Sequence, residues 1–147
     1  MRPLLILALL VAGVAARPAA AQNLQPPWVN LGYALAGTFG DPVLVAGGPL
    51  TGGSVLSLSL SNTVEAHYCF VVMGTSAIFV PYKGGTLVPY PHVLLLTFTT
   101  PSGTLDILAH FPSGVPSGLP IIIQCWINDR GAPAGRSGSN AVGALTP

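Results

Sequence analysis

The sequence predicts an all-β fold: an antiparallel β-sandwich of immunoglobulin-like or jelly-roll type, with a small β-barrel as the alternative. Short apolar runs recur along the chain, and 18 glycines and 15 prolines lie between them without a collagen-like period. No segment combines helical periodicity with helix caps. Many short strands separated by turn residues about every 8–12 positions are typical of sandwiches and barrels.

The chain begins with the layout of a secretory signal peptide. Arg2 is followed by an apolar run from Leu4 to Ala12 and then by a small-residue stretch that ends at Ala21. A basic start, an apolar centre and an A-x-A site are the parts of a Sec-type signal. We expect cleavage before Gln22, export, and a single domain over residues 22–147. Because the apolar run is shorter than the ~20 residues of a spanning helix and is followed by Arg17 and Pro18, we expect a cleaved signal in place of a membrane anchor. We expect no transmembrane segment after cleavage.

The first half of the domain predicts five strands, at 28–36, 43–45, 56–61, 65–73 and 77–80. The clearest is the third, in which Leu56, Leu58 and Leu60 alternate with serines. A period of two with one apolar and one hydroxyl face predicts a half-buried strand, with Leu58 facing the core and Ser57 facing out.

The second half predicts strands at 86–88, 93–99, 105–111, 119–127 and 141–145. The run Val93–Thr99 is so rich in β-formers that it predicts a strand buried more fully than its neighbours. Pro101-Ser102-Gly103 predicts a hairpin turn that leads from it into the next strand. The run Leu119–Ile127 is the most apolar of all and predicts a central strand, followed by a loop over Gly131–Ser139.

Charge is scarce in the predicted mature chain, which limits its partners. After cleavage the net charge is −1, from three basic and four acidic residues: Lys83, Arg130, Arg136, Asp41, Glu65, Asp106 and Asp129. Nucleic-acid binding needs a basic patch, and none is present. We therefore expect no nucleic-acid partner; a protein or a glycan at the cell surface remains open.

The titratable residues predict no catalytic centre. No zinc, thiol-redox, nucleophile-elbow or phosphate-loop motif occurs. Asp106 and His110 are the one suggestive pair, but on a strand they lie ~13 Å apart. His67 and His92 are isolated, and the loop at Asp129 offers too few oxygens for calcium. We expect no enzymatic activity, no cofactor and no metal.

Two further features leave alternatives open. Cys69 and Cys125 each lie in an apolar run, so they are either a disulfide, which export permits, or two buried thiols. Trp28, Tyr82 and Tyr90 are the candidate ligand contacts, because exposed aromatic rings offer rigid surface to a sugar. The alternative for Tyr82 and Tyr90 is plain loop packing.

Several sequence runs together resemble a known module. They are Gly32-Tyr33-Ala34-Leu35-Ala36-Gly37, Pro81-Tyr82-Lys83-Gly84-Gly85-Thr86-Leu87-Val88-Pro89, Pro116-Ser117-Gly118-Leu119-Pro120, Gln124-Cys125-Trp126-Ile127-Asn128-Asp129 and Ser139-Asn140-Ala141. The chain resembles a module that recurs, often at the C-terminus, in exported proteins of environmental bacteria. That resemblance implies a β-sandwich with no assigned activity and no catalytic residues.

These observations predict a secreted, non-enzymatic sandwich with a structural or interaction role at the cell surface or in the extracellular matrix. A carbohydrate-binding module that uses exposed aromatics is the alternative. A small secreted hydrolase is a second alternative, which would require the histidines to converge with a carboxylate in one pocket.

Overall fold

A computed structural model describes residues 27–147 of the chain, and the predicted signal peptide lies outside these described residues. The described part is all-β, and its strands pair only in antiparallel fashion. The strands are β1 (Val29–Gly32), β2 (Val43–Gly47), β3 (Val55–Ser61), β4 (Tyr68–Gly74), β5 (Ala77–Tyr82), β6 (Gly85–Pro89), β7 (Val93–Phe98), β8 (Leu105–His110), β9 (Pro120–Asn128), β10 (Arg136–Gly138) and β11 (Ala141–Leu145).

The strands form a sandwich with a small third layer. The larger sheet has the order β1-β11-β9-β4-β7, with β10 also paired to β9, and the smaller sheet has the order β2-β3-β8. Strands β5 and β6 form a separate hairpin. Both sheets are open, so the predicted sandwich is confirmed and the barrel alternative is wrong.

The main core lies between the two sheets. From the smaller sheet, Leu56, Leu58 and Leu60 point inward, and all three are buried. Their intervening serines point away from this core, as the alternation predicts. Opposite them, the inward side chains of the larger sheet are those of Cys69, Val71, Ile121, Ile123, Cys125, Ile127, Val142 and Ala144.

The hairpin β5–β6 covers part of the other face of the larger sheet. Ile122 and Val88 are fully buried in this second core. Gln124 lies beside them with no exposed surface, and its side chain bonds the hairpin to the sheet. Its Oε1 accepts from the Val88 N–H at 3.0 Å, and its Nε2 donates to the carbonyl of Thr86 at 3.1 Å.

Two glycines, Gly85 and Gly138, allow close packing around Trp126 in the layer between the larger sheet and the β5–β6 hairpin. Trp126 is 1 % exposed, as expected for a residue of the most apolar strand. A Cβ at Gly138 would lie 2.9 Å from its ring, and one at Gly85 would lie 3.2 Å from it. A larger residue at Gly138 would therefore force the indole to shift, and one at Gly85 would crowd both the indole and Leu35.

The structure corrects three local predictions. Strand β7 is not buried, because it lies at the end of the larger sheet and its side chains are mostly exposed. Pro101-Ser102-Gly103 is not a hairpin turn, because it connects β7 and β8, which belong to different sheets. The predicted loop over Gly131–Ser139 contains the short strand β10, which pairs with the end of β9.

Within residues 27–147 no helix has the length and hydropathy that crossing a membrane requires.

Candidate functional site: an open apolar sheet edge

The two sheets of the sandwich have four terminal strands, and three of them have features that discourage pairing with another chain. Strand β1 is only four residues long and its register shifts between Asn30 and Gly32. Strand β8 presents Asp106 and His110, both exposed. Strand β2 is covered by a side chain, as shown below. Short length, a bulge, charge or a cover are the usual protections of a sheet edge.

Strand β7 has none of these protections. It is six residues long, Val-Leu-Leu-Leu-Thr-Phe, and contains no charge and no proline. Its register with β4 runs without a shift from Val93 to Phe98. Within the described residues it pairs only with β4. We call this strand, Val93–Phe98, the open edge.

The hydrogen-bond pattern identifies which backbone groups of the open edge point outward. The Thr99 N–H donates to the carbonyl of His67 at 2.9 Å, so these two residues are a hydrogen-bonded pair. Hydrogen-bonded and non-bonded pairs alternate along an antiparallel ladder. The N–H and C=O groups of Leu94, Leu96 and Phe98 therefore point away from β4.

The opposite side of the sandwich shows how this chain covers such groups. The Phe111 N–H donates to the Ser54 carbonyl, which marks a hydrogen-bonded pair at the start of the β3–β8 ladder. By the same alternation, Leu60 of β3 bonds toward β8, so its partner Leu44 on β2 makes no bond to β3. The backbone N–H and C=O of Leu44 therefore point away from the sheet. The Asn140 side chain meets both of its backbone groups. Asn140 Oδ1 accepts from the Leu44 N–H at 2.8 Å, and its Nδ2 donates to the Leu44 carbonyl at 3.0 Å. One buried amide thus satisfies both outward backbone groups of Leu44 on that edge, whereas β7 has no such side-chain cover among residues 27–147.

Both faces of the open edge are apolar and accessible. Leu94, Leu96 and Phe98 are 60 %, 52 % and 55 % exposed on the outer face. Val93 and Leu95 are 53 % and 46 % exposed on the inner face, where they form one lip of the cleft between the sheets. Exposed apolar side chains are ordinary when scattered, but a contiguous patch marks an interaction surface.

An outer groove runs beside the open edge. It has a volume of about 350 Å³ and lies between β7 and the β5–β6 hairpin. Its lining is almost wholly apolar, and Arg136 is its one charged residue: Phe70, Val72, Tyr82, Leu87, Pro91, Leu94, Trp126 and Arg136. The Arg136 guanidinium lies over the Phe70 ring, 4.8 Å from its centroid. This cation–π contact keeps the charge at the rim of an apolar surface.

The three predicted ligand contacts do not form one aromatic surface. Trp28 is 3 % exposed, and its indole N–H donates to the Gly48 carbonyl at the β2 side of the sandwich. Tyr82 is half-buried in the outer groove, edge-on to Trp126. Tyr90 is 48 % exposed and packs on His92. A sugar-stacking platform requires coplanar exposed rings, and only the two tyrosines offer exposed area.

The histidines lie apart from one another. His67 Nδ1 contacts the Glu65 carbonyl, His92 Nδ1 accepts from the Thr75 N–H, and His110 Nδ1 contacts the Gly53 carbonyl. Among residues 27–147, no three His, Cys, Asp or Glu side chains come close enough to hold a metal ion. Asp106 and His110 lie on the extended strand β8, which keeps them ~13 Å apart.

Asp129 is a structural carboxylate. Burial raises its pKa, but hydrogen bonds from the Thr38 hydroxyl at 2.6 Å and from the backbone N–H groups of Thr38 and Gly131 outweigh that effect, so the pKa is lowered. These bonds tie the loop between β1 and β2 to the loop after β9. Asp129 is therefore a loop side chain whose carboxylate bonds the backbone.

Cys69 and Cys125 are neighbours on adjacent strands of the inner face, and both are buried free thiols. A hydrogen bond between them, followed by burial, raises the pKa of Cys125 well above its ordinary value. A thiol with a raised pKa is a poor nucleophile. The predicted disulfide stays a prediction, and the two side chains already lie in contact.

Sequence reasoning missed the open edge, Asn140 and Gln124. Strand β7 is predicted to be buried because its run is rich in β-formers, and that property does not distinguish a central strand from an edge strand. The clue to Gln124 was available, since an amide inside an apolar strand must find buried partners. For Asn140 no local pattern points to Leu44, which is 96 residues away.

No family model, curated protein or solved structure matches this chain.

Proposed function

We propose that this protein is a non-enzymatic interaction module that acts outside the cell by offering its open edge to a β-strand of a partner. The observation on which the proposal depends is the contrast among the edges. Three terminal strands are short, charged or covered, whereas β7 is apolar and regular. Asn140 bonds the outward backbone groups of Leu44 on β2, and no such side chain bonds β7 within residues 27–147. We take this apolar edge, which no other strand covers within residues 27–147, as the binding surface.

The chemistry of the edge suits strand addition. In this mode the partner's backbone bonds to the outward N–H and C=O groups, and grooves on either side receive its side chains. Here the outward groups are those of Leu94, Leu96 and Phe98. The inner cleft of about 120 Å³ and the outer groove of about 350 Å³ lie on either side of them. Their apolar lining favours a partner strand with apolar side chains on both faces.

Extracellular action follows from the predicted signal peptide and the low charge. Residues 1–21 predict export, and a weakly charged surface is tolerable where partners cover it. The resemblance to a module of exported bacterial proteins agrees with this location. A structural or adhesive role at the cell surface or in the matrix is the resulting function.

The test is a charge placed on the open edge. Leu96→Lys adds a cation to an exposed outward position, whereas Ser59→Lys adds the same charge to the exposed face of β3, a central strand. We expect Leu96→Lys to shift the exported protein from the cell-surface or matrix fraction to the medium, and Ser59→Lys to leave the distribution unchanged. Equal retention of both variants, each with a wild-type melting temperature, would show that the open edge is not the interaction surface.

A further inference from the structure

We infer that the partner strand is the open edge of a second copy, so that two molecules join β7 to β7 around a two-fold axis at Leu96. This inference rests on the proposed function of the open edge and identifies the partner strand; the two-fold dimer, in place of the single molecule, is then the form that the cell surface or matrix retains. The pairing would join the two larger sheets into one continuous sheet across the axis.

The positions of the outward backbone groups select this register. Leu94, Leu96 and Phe98 are evenly spaced about Leu96. In an antiparallel self-pairing centred there, Leu96 exchanges two hydrogen bonds with Leu96 of the second copy, and Leu94 exchanges two with Phe98 of that copy. Every outward N–H and C=O of β7 then has a partner. A shift by two residues in either direction would leave some of them unpaired.

The side chains also match their own copy. The outer-face residues Leu94, Leu96 and Phe98 meet Phe98, Leu96 and Leu94 of the second molecule, so apolar groups meet apolar groups. The chain has no Asp, Glu, Lys or Arg between residues 84 and 105, so this segment brings no like charges together at the axis. Pro91 and Pro101 lie just outside the strand, where they end the ladder because they have no N–H.

The exposed apolar area sets an upper limit on the interface that a dimer can bury. Six large apolar side chains at the edge are about half exposed: Tyr68, Val93, Leu94, Leu95, Leu96 and Phe98. At about 100 Å² each they expose roughly 600 Å² per copy, so that even complete burial reaches only the lower end of specific interfaces. We therefore expect a reversible dimer. Because each copy uses the one open edge found within residues 27–147, a two-fold contact closes the assembly instead of extending it into a fibre.

Engineered cysteines test both the partner and the register. In the proposed dimer, the two Cα atoms at Leu96 lie about 5.5 Å apart, within the range for a disulfide. The two Cα atoms at Leu94 lie four residues further along, about 13 Å apart. Leu96→Cys and Leu94→Cys are matched, since both positions are exposed on the same face, and the native thiols are buried.

We expect mild oxidation of the exported protein to link Leu96→Cys into a dimer several times faster than Leu94→Cys, with no dimer from the wild type. Wild-type protein should sediment between monomer and dimer as its concentration rises, and Leu96→Lys should sediment as a monomer.

Equal linking of both cysteine variants, or a wild type that stays monomeric at high concentration, would overturn the second-copy inference. If Leu96→Lys still reduced surface retention in that case, the proposed function would stand with a different partner. Specific linking combined with unchanged retention would instead support the dimer and refute the function.

Discussion

Replacing Gln124 by leucine should release the β5–β6 hairpin from the sheet. The amide makes four hydrogen bonds at 3.0–3.2 Å: from the Val88 N–H, from the Trp126 indole N–H, to the Thr86 carbonyl and to the Ser139 carbonyl. Leucine fills a similar volume but can replace none of them. All of these groups would remain in a region from which water is excluded.

The expected loss in the free energy of unfolding follows from the buried hydrogen-bonding groups that lose their partner. A buried donor or acceptor left without a partner costs about 1–3 kcal/mol. The two N–H donors dominate, because a carbonyl tolerates under-satisfaction better. Allowing for the apolar gain of leucine, we expect Gln124→Leu to lower the free energy of unfolding by about 3–5 kcal/mol. That loss is a large part of the 5–15 kcal/mol typical of a domain.

Urea denaturation measures the total loss, and hydrogen exchange locates it. The Val88 amide should lose protection in Gln124→Leu more than amides in β3 do. Leu58→Ala is the matched control. It removes a side chain of β3 from the main core, which lies on the opposite face of the larger sheet from the hairpin. It should lower the hydrogen-exchange protection of the Val88 amide and of the β3 amides together. A Gln124→Leu protein as stable as the wild type, or with Val88 still protected, would refute the role of the amide.

A glutamate at the same position separates the donor from the acceptor role. The carboxylate of Gln124→Glu can accept from both N–H groups but cannot donate to the two carbonyls, and it buries a charge. Burial raises the pKa of such a carboxyl, so protonation at low pH restores one donor. We expect the stability gap between Gln124→Glu and the wild type to narrow as the pH falls.

Three further outcomes are expected. Leu58→Ala should cost about 2–5 kcal/mol in urea denaturation through lost burial and a cavity, whereas Ser57→Ala on the opposite face should cost about 0.5 kcal/mol or less; equal losses would overturn the strand register. Because the folded pKa of Asp129 is lowered, the carboxylate stabilises the fold above pH ~4, and this stabilisation is lost as the pH falls through the folded pKa. The melting temperature of Asp129→Asn should therefore depend less on pH in that acid range than the melting temperature of the wild type. An unchanged dependence would contradict this. Non-reducing peptide mapping of the exported protein should show Cys69 linked to Cys125, since export permits a disulfide and the two thiols lie on adjacent strands, and thiols labelled only after unfolding would mean they stay reduced.

Much of the fold could be predicted because local patterns were sufficient for it. The alternation of Leu56, Leu58 and Leu60 with serine identified both the strand and its inward face. The continuous apolar run in β9 identified a strand that is buried on both sides, between the main core and the hairpin layer. Each of these inferences depends only on how neighbouring residues alternate along one strand.

The candidate site could not be predicted in the same way. Strands β7 and β9 have similar compositions, yet β9 is buried between β11 and β4 while β7 is exposed at the end of the sheet. Position in a sheet is decided by which strands pair, and those partners are far apart in sequence. Tyr82 was identified as a candidate contact, and the structure places it in the outer groove, but Trp28 proved to be buried.

The sequence by itself determined the all-β class, the period-two faces and the absence of clustered charge, because these depend on composition and on adjacent residues. Only the tertiary structure decided that Asn140 bonds Leu44 at one sheet edge and that, within residues 27–147, β7 pairs on one side only. An edge exists only once every other strand has found its neighbours, so no local pattern in Val93–Phe98 could reveal it.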